Sequence, residues 1–118
     1  MFFNIYNKFE TERVSLFQLL VLVACADGEV TDKERQIIGE YAQKFDISGK
    51  RLEAILKEVS DGKLQFAIPD KMEEREKNIR ALVKIANADG NIDANELQLI
   101  KNVTKQYGMN ESFVDKLV

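Results

Sequence analysis

The sequence predicts an all-α protein: a single compact helical bundle of about six to seven helices that spans residues 1–118. Apolar residues recur at helical spacing in successive segments, and short runs rich in Gly, Asp, Asn and Ser separate these segments. A chain of 118 residues fits one domain with a sizeable core. One motif also occurs twice, with Asp89 following Asp27 by 62 positions. We therefore expect two repeated three-helix units related by a pseudo-two-fold axis.

The amino-terminal quarter of the chain predicts two helices. Residues 1–9 form a short amphipathic pattern, which we expect to dock on the core. Four apolar residues share its face: Phe2, Ile5, Tyr6 and Phe9. A longer helix is expected from an N-cap at Thr11 to about residue 26, and it is apolar on nearly all sides. Such a helix must be buried on several sides, so we expect it at the centre of the bundle.

The middle of the chain predicts two more helices, at about residues 32–45 and 49–59, the second capped by Ser48. An extended connection follows, in which three apolar side chains are expected to lie under the bundle: Leu64, Phe66 and Ile68. The last helices are expected at about residues 70–88, at about residues 94–107, and after a cap at Asn110. The mixed-charge run at the start of the 70–88 helix is typical of a solvated helix face.

Composition excludes several classes of function. Acidic residues (20) outnumber basic ones (17), the net charge is −3, and the pI is about 5.1. This balance argues against a general nucleic-acid or anionic-membrane binder. Histidine is absent, which disfavours catalysis. Cys25 is the single cysteine and forms no internal disulfide, so we expect a cytoplasmic protein. The apolar run at residues 14–26 is too short to span a membrane.

The repeated motif, A-x-A-D-G-x-[VI]-x-x-x-E, joins two helices at residues 24–34 and again at residues 86–96. Its glycine follows a helix end, where glycine adopts the left-handed conformation without a Cβ penalty. Its final glutamate follows a Thr or Asp at the spacing of a capping box. These residues are Gly28 and Gly90, Thr31 with Glu34, and Asp93 with Glu96. The repeat extends to about residues 14–56 and 76–118.

Two aspartates of the motif, Asp27 and Asp89, are not explained by the helix corner. A carboxylate in the last turn of a helix faces the negative end of the macrodipole, at a cost of about 0.3–1 kcal/mol unless it has a partner. Backbone amides or a cation could supply that partner. In the register of an EF-hand loop, four residues fall at positions that such loops use: Asn87, Asp89, Asp93 and Glu96. The leading position, however, is Ile85, so the residues alone favour a structural corner over an EF-hand.

The paired motifs resemble the TerB-like domain family, which is found in bacterial tellurite-resistance proteins and in the amino-terminal region of DjlA-type co-chaperones. The resemblance covers about residues 11–118. It implies an all-helical fold with an internal repeat, and a stress-response role through metal sensing or through assembly of protein complexes near the inner face of the membrane. The acidic positions of the family carry over to Asp27, Glu34, Asp89 and Glu96. The expected metal is a divalent cation (Ca²⁺, Mg²⁺, Mn²⁺ or Zn²⁺), and the EF-hand register adds Asn87 and Asp93 as candidate ligands.

These observations lead us to expect a non-enzymatic stress-response module that binds a divalent cation at its acidic helix junctions. We also expect protein partners, with peripheral association with a membrane complex as one setting. The alternative is a helical adaptor or co-chaperone-associated interaction domain in which the acidic residues only cap helices. A third possibility is an enzyme that relies on carboxylates and a metal, which requires the four motif acids to converge on one pocket.

Overall fold

The computed structural model describes most of the chain. The described residues are 14–26, 28, 30–88 and 90–118. The amphipathic helix predicted at residues 1–9 and the N-cap predicted at Thr11 lie outside the described residues. The two motif aspartates, Asp27 and Asp89, also lie outside them.

Six α-helices and no strand occur in the described part of the chain, which confirms the all-α prediction. The helices are α1 (described at residues 14–24), α2 (Asp32–Lys44), α3 (Gly49–Ser60), α4 (Met72–Ala86), α5 (Ala94–Gln106) and α6 (Ser112–Asp115). Among the described residues, no helix combines the length and apolar character that crossing a membrane requires.

Local hydrogen bonds explain where the helices begin. Ser48 Oγ accepts the N–H of Arg51 at 3.1 Å, which confirms the predicted cap of α3. Asn110 Oδ1 accepts the N–H of Ser112 at 2.9 Å, but the N-cap of α6 is Glu111, so the cap predicted at Asn110 is one residue too early. α4 instead begins after Lys71 without a side-chain cap.

The core is built around α1 and α4. Six described residues of α1 are fully buried: Phe17, Leu19, Leu20, Val21, Val23 and Ala24. They point to different sides of the helix, which confirms that α1 is surrounded by other parts of the protein. α4 contributes five apolar residues that are at most 6% exposed: Ile79, Leu82, Val83, Ile85 and Ala86. The two most buried helices are therefore those that lead into the two copies of the motif.

The connection between α3 and α4 differs from the prediction at one residue. Leu64 and Phe66 are half-buried, whereas Ile68 is 39% exposed. The backbone N–H of Ala67 donates to Ser15 Oγ at 2.7 Å, and the next residue that turns inward is Pro69. The prediction that Ile68 lies under the bundle is wrong because these two neighbours fix the backbone and direct Ile68 outward.

The two halves share details of backbone geometry. The N–H of Gly28 donates to the carbonyl of Cys25 at 3.1 Å, and the N–H of Gly90 donates to the carbonyl of Asn87 at 3.0 Å. The third helices of the two units differ, because α3 has 12 residues and α6 has 4. The pseudo-two-fold relation between two whole three-helix units stays a prediction.

Candidate functional site

The first corner connects α1 to α2. The N–H of Cys25 donates to the carbonyl of Val21 at 3.0 Å, and the chain then turns through Gly28, whose φ is 87°. That left-handed conformation is the reason for glycine at this position. Thr31 is extended (φ −71°, ψ 163°) and starts α2. The predicted end of one helix and start of the next are confirmed here.

Thr31 and Glu34 form the predicted capping box. The N–H of Thr31 donates to Glu34 Oε1 at 2.9 Å, and the N–H of Glu34 donates to Thr31 Oγ1 at 3.1 Å. Glu34 is only 3% exposed. Hydrogen bonding to the backbone compensates part of the cost of burying a carboxylate. One oxygen of Glu34 is thus committed to the helix start.

The second corner connects α4 to α5 and has the same outline. Gly90 has φ 86°, and Asp93 is the N-cap of α5. Asp93 Oδ1 accepts the N–H groups of Asn95 at 2.8 Å and of Glu96 at 3.4 Å, which is the Asp93 half of the predicted box. Glu96 is 4% exposed, nearly the same as its counterpart in the first corner. Both corners therefore bury one glutamate in the first turn of the following helix.

The predicted metal ligands are only partly placed by these observations. Asp27 and Asp89 lie outside the described residues. Asn87 is exposed and Asp93 is half-buried. Within the described ranges, no group of three or more His, Cys, Asp or Glu side chains lies close enough to hold a metal ion. The proposed ligand set of Asp27, Glu34, Asp89 and Glu96 therefore stays a prediction.

A polar junction where α4 begins and α5 ends, at the opposite end of these two helices from the second corner, was not predicted. Arg75 Nε donates to the carbonyl of Pro69 at 2.6 Å, and Arg75 Nη1 donates to the carbonyl of Tyr107 at 3.0 Å. Arg75 belongs to the mixed-charge run that we expected to be solvated, yet it is half-buried. No local pattern distinguishes it from its charged neighbours, because its acceptors lie 6 and 32 residues away.

Tyr107 also receives a side-chain hydrogen bond. Asn78 Nδ2 donates to its hydroxyl at 3.1 Å, and both side chains are buried. Burial raises the pKa of Tyr107 above its usual value of 10.0, although the Asn78 hydrogen bond and the Arg75 charge oppose that rise. This phenol is consequently neutral at physiological pH and acts as a structural acceptor.

Described residues line two sizeable surface clefts. The larger, about 640 Å³, lies between α1, α3 and the connection after α3, and it contains a hydrogen bond from Gln18 Nε2 to Glu58 Oε2 at 3.2 Å. The smaller, about 530 Å³, runs between α2 and α4 and reaches the second corner at Asn87 and Ala88. We call the smaller cleft the α2/α4 groove. It borders two motif residues, Asn87 and Ala88.

Comparison with known proteins gives one match. The family model described as "Tellurite resistance protein TerB" matches residues 63–117. This part of the chain is TerB-like. The TerB-like part contains α4, the second corner, α5 and α6, so the family predicted from the sequence is confirmed over these residues. Searches of curated proteins and of solved structures returned no match.

Proposed function

We propose that this TerB-like chain is a non-enzymatic, cytoplasmic module of the bacterial stress response, of the tellurite-resistance type, and that its acidic helix corners bind a divalent cation. One observation carries the proposal: Glu34 and Glu96 are 3% and 4% exposed at corresponding places in the two corners. Buried carboxylates are rare in proteins unless a charge or several hydrogen bonds compensate them. In each motif an aspartate precedes the buried glutamate by seven positions, at Asp27 and Asp89.

The donor types indicate which cation to expect. The corners offer carboxylate, amide and backbone oxygens, and the chain has no histidine. Oxygen ligands suit Ca²⁺, Mg²⁺ and Mn²⁺, whereas Zn²⁺ in proteins usually takes nitrogen or sulfur ligands. The second corner has Asn87 where the first has Cys25, so it has one more oxygen ligand. We therefore expect the second corner to bind a hard cation more tightly than the first.

A metal titration tests the proposal. Ca²⁺, Mg²⁺, Mn²⁺ and Zn²⁺ are added to ¹⁵N-labelled protein while the amide signals of Gly28 and Gly90 are followed. We expect saturable changes at Gly90 at lower metal concentration than at Gly28. Asp89→Asn should abolish the change at Gly90, whereas Asp61→Asn, which removes an exposed carboxylate at the end of α3, should leave it intact. No change at millimolar metal rules out the cation.

A second candidate function is a helical adaptor, including a co-chaperone-associated interaction domain, in which the motif acids are purely structural. The observation in its favour is that Glu34 and Asp93 already accept backbone N–H groups at the helix starts. Its partners would be proteins, including a complex at the inner face of the membrane. Under this function, Asp89→Asn lowers stability and leaves partner binding intact. Loss of partner binding at unchanged stability would count against it.

A further inference from the structure

We propose that the α2/α4 groove is a docking site for an acidic peptide segment that carries aliphatic side chains, supplied by a partner protein. The groove is open to solvent and has a volume of about 530 Å³, a size suited to a few side chains of a bound peptide. Its described walls come from α2, α4, the second corner and the carboxyl-terminal segment. The proposal is separate from cation binding, although the two sites adjoin at Asn87.

The floor of the groove is aliphatic. Ile37 of α2 and Leu117 of the carboxyl-terminal segment are half-buried, and Val83 of α4 is 6% exposed. These side chains leave an apolar surface between two helices, which is the setting in which grooves accept the apolar face of a peptide. The aliphatic floor is therefore the reason for proposing that the bound peptide carries aliphatic side chains.

The rim of the groove is basic. Arg80 and Lys84 lie one turn apart on α4 and are both exposed. No carboxylate of the described residues forms an ion pair with either of them. The guanidinium of Arg80 lies over the ring of Phe113, 5.5 Å from its centroid. This cation–π contact limits the orientations that the Arg80 side chain can adopt. Two cationic groups thus border the apolar floor, and neither is paired with a carboxylate of the described residues.

A shallow hollow beside the groove extends this basic character. Lys84 also lines the hollow, together with Glu40, Tyr41 and Lys44. Among the described residues lining the groove and the hollow, three side chains are basic and Glu40 is the one acidic side chain. This local excess of positive charge contrasts with the net charge of the whole chain, which is −3. Charge complementarity therefore selects an acidic occupant.

The apolar floor favours a peptide over a nucleic acid. Single-stranded nucleic acids bind to basic grooves whose aromatic side chains stack on the bases. The groove floor presents Ile37, Val83 and Leu117, which offer no stacking face, and Tyr41 of the adjoining hollow is the single aromatic side chain among the described lining residues. Aliphatic side chains of a peptide match this floor, and its carboxylates match the rim.

Two synthetic peptides of about 12 residues test the proposal. Both carry leucines at helical spacing, with glutamate at the remaining positions of one and lysine at those of the other. Each is labelled with a fluorophore and titrated with the full chain, and the methyl signals of Ile37, Val83 and Leu117 are followed by NMR. We expect saturable binding of the glutamate peptide, methyl shifts at the three floor residues, and weaker binding as salt screens the charges.

Matched double variants locate the binding site. Arg80→Glu with Lys84→Glu should weaken the glutamate peptide by about tenfold or more, because like charges then face each other. Lys50→Glu with Lys57→Glu changes the net charge equally on α3 and should stay within about twofold of the wild type. If the first pair fails to fold, as judged by circular dichroism, Arg80→Gln with Lys84→Gln replaces it and should still weaken binding.

Several results would overturn the proposal. These are equal binding of the lysine peptide, methyl shifts confined to other residues, an unchanged affinity in the groove variant, and no saturable binding at millimolar peptide. Binding of single-stranded DNA or anionic vesicles through Arg80 and Lys84, with no binding of the peptide, would also overturn it and assign the groove to another class of partner. The peptide titration contains no metal, so its outcome is independent of the cation titration.

Discussion

Asn78 and Tyr107 connect the middle of α4 to the residue that ends α5. Asn78 Nδ2 donates to the Tyr107 hydroxyl at 3.1 Å, and the two residues are 8% and 1% exposed. One turn earlier on α4, Arg75 donates to the backbone carbonyl of the same tyrosine at 3.0 Å. Tyr107 is therefore held through both its side chain and its backbone, within the TerB-like part of the chain.

Tyr107→Phe should destabilise the protein by about 1–2 kcal/mol, because it leaves the buried amide of Asn78 without its acceptor. Urea denaturation followed by circular dichroism measures the change in the free energy of unfolding. Tyr41→Phe is the matched control, because Tyr41 is half-buried and its hydroxyl makes no hydrogen bond to another described residue. We expect the control to stay within about 0.5 kcal/mol of the wild type. Equal losses in the two variants would contradict the role assigned to Asn78.

Tyr107 should also make stability depend on alkaline pH. Burial raises its folded-state pKa above the usual 10.0, so the folded state keeps the proton when the unfolded state releases it. The contribution of this group to stability is therefore complete below about pH 10 and is lost as the pH rises through the folded-state pKa. The free energy of unfolding, measured between pH 8 and pH 11, should fall more steeply in the wild type than in Tyr107→Phe. Parallel curves would contradict the inference.

Substitutions of Glu34 separate capping from charge. Glu34→Gln keeps an oxygen for the N–H of Thr31, so we expect a change below about 0.5 kcal/mol, whereas Glu34→Ala should cost about 1–2 kcal/mol. Thermal and urea denaturation measure both. Glu40→Ala, on the exposed side of α2, controls for loss of an acidic side chain. A large loss in Glu34→Gln would show that the corner needs the negative charge itself, which favours a bound cation.

Gly90→Ala should destabilise the protein by about 1 kcal/mol, because φ 86° is unfavourable for a residue with a Cβ. No neighbour lies within 4 Å of the added Cβ, so the cost is conformational and not steric. Gly39→Ala is the control: Gly39 lies inside α2 with equally open surroundings, and alanine should stabilise that helix by about 0.5–1 kcal/mol. Opposite signs for the two glycines are the expected result, measured by urea denaturation.

Helices with local signals were well predicted from the sequence. α2 was expected at residues 32–45 and occurs at Asp32–Lys44, and α3 was expected at 49–59 and occurs at Gly49–Ser60. Their caps, Thr31 and Ser48, bond to residues three positions away, so the interaction is readable from spacing alone. The same reason makes the capping part of the candidate site predictable.

Contacts between distant parts of the chain were not predictable in this way. Ile68 was expected to be buried and is exposed, because Ser15, more than 50 positions earlier, holds the neighbouring backbone. Arg75 was assigned to a solvated run and instead joins the connection to the end of α5. Periodicity describes one segment at a time and carries no information about acceptors contributed by another segment.

The sequence by itself determined the all-α class, the two corners and the residues that cap them, because these depend on backbone preferences and on contacts three or four residues apart. Only the tertiary structure decided that Glu34 and Glu96 are buried, that Tyr107 is bound to both Arg75 and Asn78, and that Arg80 and Lys84 border an aliphatic groove. Burial and charge complementarity depend on which helices pack together, and packing is set by the whole chain.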